Sequence, residues 1–181
     1  MATTGQITTA EELLHASGLG RCELVRGELR MMSPAGFHHG RIAGRVHSRL
    51  SHFVEARGLG VVASAETGFF ITRNPDTVRA PDVAFVRADR VPPHSARGFF
   101  EGAPDLAAEV LSPEDRPREV LAKVQDWLGA GARAVWVVDP AAQTVRAYQQ
   151  GGAVARLDLA DDVTAEDILP GFRLPVREIF A

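Results

Sequence analysis

Three features of the chain predict a mixed α/β fold, helices packed against a central sheet. The segment "HHGRIAGRVHSRLSHFVEARG" repeats its apolar residues at helical period. The runs "DLAAEVL" and "RAVWVVDP" are apolar on both faces, as central strands are. Between them lies "PEDRPREVLAKVQDWLGAG", a helical pattern that opens on prolines and closes on glycines. With 181 residues, 45% of them hydrophobic, the chain is long enough for one domain with a real core.

In chain order, "TTAEELLHASG" opens with a capping-box pattern, Thr9 to Glu12, and reads as a short helix. "CELVRGELRMMSP" holds two short strand-like runs around Arg26-Gly27, a hairpin signal. On the long helix Ile42, Val46, Leu50 and Phe53 share one face, and Gly58 is the stop. "VVASAETGFFI" is one bent strand or two short ones, "RNPD" a turn and "APDVAFVRA" a strand. "HSARGFFEGAPD" reads as a loop before the strand "DLAAEVLS". After the second helix and "RAVWVVDP", "TVRAYQQGGAVARLDL" is a hairpin on a Gly-Gly turn, and "LPGFRLPVREIF" a closing strand and turn. From His38 onward the order is helix, three strands, helix, strand, hairpin.

Net charge is −3, which argues against an avid, non-specific nucleic-acid coat but leaves room for a local basic patch. The single cysteine, Cys22, excludes an internal disulfide and disfavours a cysteine-based zinc site. There is neither a basic-then-apolar leader nor an apolar run of about 18 residues. The expectation is a cytoplasmic protein with no membrane partner.

Two carboxylates stand where strands are otherwise apolar. Alternation places Ala107, Glu109 and Leu111 on one face of their strand, and an ionised Glu109 there is expensive without a partner. It either pairs with an arginine near the strand end or serves as a metal ligand or catalytic group. Asp82 has a bland reading as Pro-Asp turn chemistry at a strand entrance. Asp105 and Glu109 share a face but lie roughly 13 Å apart, too far to share one hard cation. Glu109 needs a partner on an adjacent strand, and Asp82 is the natural candidate.

Of the 20 Lys+Arg residues, 19 are arginines and only Lys123 is lysine. A surface lysine drifts to arginine at little cost, whereas a lysine needed as a compact charge does not. A helical wheel puts Val120, Leu121, Val124 and Leu128 on the apolar stripe, Trp127 at its edge and Lys123 beside Trp127. From there the ammonium can turn inward along an apolar stem, snorkel outward, or pair with Glu119 one turn back.

Pro81-Asp82, then Glu109-Val110-Leu111, then Lys123 resembles the PD-(D/E)xK nuclease motif with its lysine displaced. More closely, the chain is similar to the Uma-type "putative restriction endonuclease" family. The likeness runs from about Cys22 to the C-terminus through "ELVRGELRMMSP", "HHGRIAGRV", "VRAPDVAFVRADRV", "GAPDLAAEVLSPEDR", "AKVQDWLGAGARAVWVVDP" and "LPGFRLPVREIF". It implies a restriction-endonuclease-like core, helix-strand-strand-strand-helix-strand, at about residues 38–139 of a single domain 1–181, with an N-terminal helix and hairpin and a C-terminal hairpin added. It implies Asp82, Glu109 and the Val110 carbonyl as ligands of magnesium (or manganese). Leu111 occupies the motif's usual lysine position, and Lys123 takes that lysine's place. In similar proteins the glutamate of the early hairpin and the histidine before the Arg-Ile pair lie near the site; here these are Glu28 and His39, with Glu66 a weaker addition.

The implied activity is metal-dependent endonuclease cleavage of DNA by a homodimer. Arg41, Arg45 and Arg49 recur every fourth residue, with His52 alongside. They form either a solvated face paired with groups such as Glu55 or a stripe that tracks phosphates. The competing function is a non-enzymatic module that keeps the fold for binding or assembly, which the negative net charge favours. A glycosidase-like carboxylate pair leaves Lys123 without a role.

Overall fold

Thr9 caps the first helix, α1 (Ala10–His15). Its hydroxyl accepts from the Glu12 N–H while the Glu12 carboxylate accepts from the Thr9 N–H, the reciprocal box that the spacing predicts. The computed structural model describes residues 6–181. A hairpin follows, β1 (Cys22–Val25) and β2 (Glu28–Met31), turning on Arg26 and Gly27, both at positive φ. Next comes α2 (Phe37–Arg57), ended by Gly58 in the left-handed conformation. Its buried residues are Ile42, Val46, Leu50 and Val54. Phe53, expected on that stripe, is half-buried at its edge, edge-on to the Phe172 ring.

The "VVASAETGFFI" segment is two strands, β3 (Gly60–Ser64) and β4 (Phe69–Thr72), and they belong to different sheets. A short β5 (Thr77–Arg79) that the sequence reading did not separate precedes β6 (Val83–Arg87). The stretch read as loop contains the two-residue β7 (Phe100–Glu101). Then come β8 (Leu106–Val110), α3 (Pro117–Gly129) and β9 (Ala134–Asp139). The hairpin β10 (Thr144–Gln149) and β11 (Val154–Leu157) follows. The chain closes with β12 (Asp162–Thr164), β13 (Arg173–Pro175) and α4 (Val176–Phe180), which forms where a turn was expected.

The main sheet has six strands in the order β11-β10-β9-β8-β6-β3. Only β8 and β9 are parallel in it, so the link between them must cross over a face of the sheet, and α3 is that crossover. The helix-strand-strand-strand-helix-strand core is therefore α2, β3, β6, β8, α3 and β9. The pair β4–β5 is set into it and joins β1, β2 and β7 in a five-stranded sheet, order β2-β1-β5-β4-β7.

Alternation along the central strands sorts the core into layers. Val83, Phe85, Leu106, Ala108, Val110, Trp136 and Val138 face α2, α4 and the small β12–β13 sheet. Ala84, Val86, Ala107, Val135 and Val137 face α3 and the Phe69–Ile71 side of the five-stranded sheet. The other side of that sheet, with Leu24, Phe70 and Val78, buries Ala10 and Leu13 of α1. On α3 the inward residues are Val124 and Trp127, both essentially buried, whereas Leu121 is 46% exposed. The stripe is thus rotated toward Trp127 relative to the wheel, because an indole that large fills the gap between the two sheets better than a leucine does.

At the start of β3, Gly60 (φ +151°) lies so close to β6 that a Cβ would stand 2.0 Å from the Val86 carbonyl oxygen. Gly60→Ala is expected to cost about 2 kcal/mol or more, seen as a lower urea midpoint with an unchanged slope.

Candidate active site

Asp82 sits one residue before β6, and Glu109 is the fourth residue of β8. The two strands are antiparallel in the register Val83↔Ala108, Ala84↔Ala107, Phe85↔Leu106. One step further, Asp82 stands across from Glu109, at the roughly 4.5–5.5 Å spacing of opposed residues. By alternation both side chains project on the Ala84–Ala107 face, the one that α3 covers. Both are buried, at 8% and 7% exposure.

The crossover helix delivers the groups that meet Glu109. Lys123 Nζ donates to its Oε2 at 2.9 Å, and Trp127 Nε1, one turn further along α3, donates to its Oε1 at 2.8 Å. The ammonium turns inward, and Glu119 has no part in holding it. From the first turn of α2, His39 Nε2 lies 3.2 Å from Asp82 Oδ2, which also accepts the Val110 N–H at 2.8 Å. Lys123 Nζ is also 3.3 Å from Glu23 Oε1, on β1 of the other sheet. Glu23 in turn accepts from Arg79 at 2.7 Å and from the Ala80 N–H at 3.0 Å. Arg79 is completed by Asp126 of α3. The pairing of Glu23 with Arg79 follows from register, since their neighbours Leu24 and Val78 are partners on β1 and β5.

The electrostatics follow from this crowding. Burial pushes the Glu109 carboxyl up to about 7; the Lys123 ammonium opposes the rise, and the charges of Asp82 and Glu23 add to it. Burial also works against the charge on Asp82, but the hydrogen bonds from His39 and the Val110 N–H hold it below the usual carboxylate range. Its hydrogen bond to Asp82 raises His39 above its ordinary value, despite burial. For Lys123, burial is more than reversed by Glu109 and Glu23, which keep it firmly charged. Glu23 is likewise held low by Lys123 and Arg79 against its own burial.

The donors suit a hard divalent cation: two opposed carboxylates and the carbonyl of Val110, all oxygen. Among the described residues no three His, Cys, Asp or Glu side chains form a group able to hold a metal ion. A cation at this pair would need backbone carbonyl and water for its remaining positions, the usual situation of magnesium. Two buried like charges, one of them already driven toward its protonated form, are an environment that a cation relieves.

Of the residues singled out in the sequence, Asp82, Glu109, Val110, Lys123 and His39 come together. Glu28 does not: it is exposed on β2, with Arg30 its nearest cation at 3.9 Å. The hairpin glutamate that reaches the cluster is Glu23. Its signal was a carboxylate inside the apolar run "CELV", the same signal that marked Glu109, whereas Glu28 follows the turn, where charge is ordinary. Glu66 lies in the turn between β3 and β4, ion-paired to Arg21. Along α2, Arg41 is exposed, Arg45 has a buried guanidinium nitrogen without a hydrogen-bond partner, and Arg49 pairs with Glu178 of α4 at 2.9 Å. Asp105, at the far end of β8, holds Arg90 at 3.0 Å and the Arg87 N–H.

The model of the Uma2 family, described as "Putative restriction endonuclease", matches residues 10–177. No curated protein matches the chain. A solved structure from Anabaena variabilis ATCC 29413, described as a "putative nuclease belonging to DUF820", superposes with a TM-score of 0.82 over 95% of this chain and 97% of its own. At 20% identity, that likeness shows the fold. Among the described residues no helix is long and apolar enough to cross a membrane.

Because the Glu109 carboxyl is raised from 4.5 to about 7, the folded chain holds its proton more tightly than the unfolded chain. Its contribution to stability is full below about 4.5 and is lost as pH rises through about 7. Relative to Glu109→Gln, the wild type should lose up to about 3 kcal/mol between pH 4.5 and 7.5. Urea denaturation of both proteins across that range measures the difference.

Proposed function

The chain belongs to the Uma2 family of "putative restriction endonucleases", and on that premise we propose that it is a metal-dependent endonuclease that hydrolyses phosphodiester bonds in DNA. The observation that carries this reading is Lys123 Nζ at 2.9 Å from Glu109 Oε2, with Asp82 across the strand pair. An ammonium delivered to Glu109 by the crossover helix supports reading Lys123 as the substitute for the motif lysine, whose usual position Leu111 fills.

Asp82, Glu109 and the Val110 carbonyl would hold magnesium or manganese, which when bound acidifies a water and neutralises charge on the phosphoryl group. Lys123 presents a compact positive charge beside those carboxylates. It is suited to orienting the attacking water and to stabilising charge that builds on the phosphoryl oxygens. It stays protonated at neutral pH, so it acts as an electrostatic group and not as a base. His39 fixes the Asp82 carboxylate from the opposite side, and Trp127 fixes Glu109.

Arg41, exposed near the start of α2, is the best placed of the α2 arginines to follow a phosphate backbone, and Arg45 would have to turn its buried guanidinium nitrogen outward to join it. Arg49 must first be released from Glu178. The exposed edges β3 and β11, which carry Val61 and Val154 at 44% and 57% exposure, are the routes by which two copies would form a homodimer.

Plasmid nicking in magnesium or manganese tests the reading. Asp82→Asn and Lys123→Ala should each lower the rate by about a hundredfold or more; equal nicking by all three proteins would show that the activity lies elsewhere. Arg41→Gln should weaken DNA binding alike for all sequences and flatten the salt dependence by about one unit of log–log slope, read by titration at several salt concentrations.

A further inference from the structure

Nothing in the nuclease motif assigns a role to Glu23, yet the geometry gives it one. Lys123 Nζ bridges two carboxylates, Glu109 Oε2 at 2.9 Å and Glu23 Oε1 at 3.3 Å. They belong to different sheets, Glu23 to β1 and Glu109 to β8, and they differ in how firmly they are held. Glu23 is a fixed post: buried, with Arg79 on Oε2 at 2.7 Å and the Ala80 N–H on Oε1 at 3.0 Å. Arg79 is itself tied to Asp126, on the same helix as Lys123. The Oε1 atom of Glu109 is tied to the buried Trp127 indole. Only Oε2 is held by a group on a flexible stem, so Oε2 is the oxygen free to turn to another cation.

We propose that Glu23 is a positioning residue that takes over the Lys123 ammonium when a divalent cation occupies the Asp82–Glu109 pair. The inference rests on the metal site proposed above. A cation at Glu109 Oε2 repels the ammonium already there. An ammonium driven off that oxygen with no second partner would be an unpaired charge in a site where the lysine side chain is only 22% exposed, which opposes binding. Glu23 Oε1 lies within contact distance, so the ammonium changes partner while remaining in the site. Glu23 thereby sets how readily the carboxylate pair accepts a cation, without itself being a ligand.

Manganese binding to the whole chain, followed by calorimetry, tests this in a double-mutant cycle. Glu23→Gln should weaken binding about tenfold or more, but less than about twofold when Lys123→Met is already present. Unchanged affinity in Glu23→Gln overturns the proposal. An equal loss in both backgrounds also overturns it, since Glu23 would then act only as a distant charge. A wild type that binds no manganese removes the metal site itself, and the proposal with it. One measurement does not depend on the variants folding. Because the chain has a single lysine, isotope labelling of lysine gives one ammonium signal, which magnesium must shift in the wild type. Magnesium binding that leaves this signal unmoved overturns the proposal.

Discussion

Asp82 and Glu109 face each other across adjacent antiparallel strands, and much of the surrounding structure makes that repulsion tolerable. Two buried carboxylates at this spacing cannot both ionise without counter-charges. Each neighbouring layer sends one. The helix on one face contributes His39, and the crossover helix on the other contributes Lys123. A second sheet brings Glu23, which holds the lysine in turn, and Arg79, which holds Glu23. The polar network therefore ties together layers whose apolar contacts alone would leave their relative positions less well determined.

How much of this could be read from residues alone depended on contrast. Glu109 stood out because every neighbour in its strand is apolar, and Lys123 because all 19 other cations are arginine. Opposing Asp82 to Glu109 needed only the spacing of adjacent strands. The capping box of α1 and the glycine stop of α2 are local chemistry and were equally legible. Strands β5 and β7 were not, because three and two residues are too few to show a period. Glu23 was missed in favour of Glu28 since a hairpin's register does not say which of its faces another sheet will cover. Trp127 was placed at the edge of its stripe because a wheel counts angles and not side-chain size.

The arginines of α2 show the same limit from the other side. Their spacing is a property of the helix, but their availability is set by tertiary neighbours. Glu178, more than 120 residues downstream, occupies Arg49, whereas Glu55, the partner suggested by local spacing, does not appear in that pair. A stripe that is uniform in sequence is therefore uneven as a surface, more open at its Arg41 end. That is the end from which His39 reaches Asp82, so the least engaged cation and the carboxylate pair lie toward the same end of α2.

The bridge between Glu23 and Lys123 joins residues a hundred positions apart. Contacts of such long sequence separation carry a large loop-closure cost and are slow to form. Until α3 has been synthesised and the hairpin sheet has docked against it, Glu109 has neither its ammonium nor its indole partner. On the proposed reading, a ribosome-bound fragment ending before Lys123 carries both carboxylates but no assembled centre. On that reading the order of synthesis keeps the carboxylate pair without its ammonium until about two thirds of these 181 residues have been made.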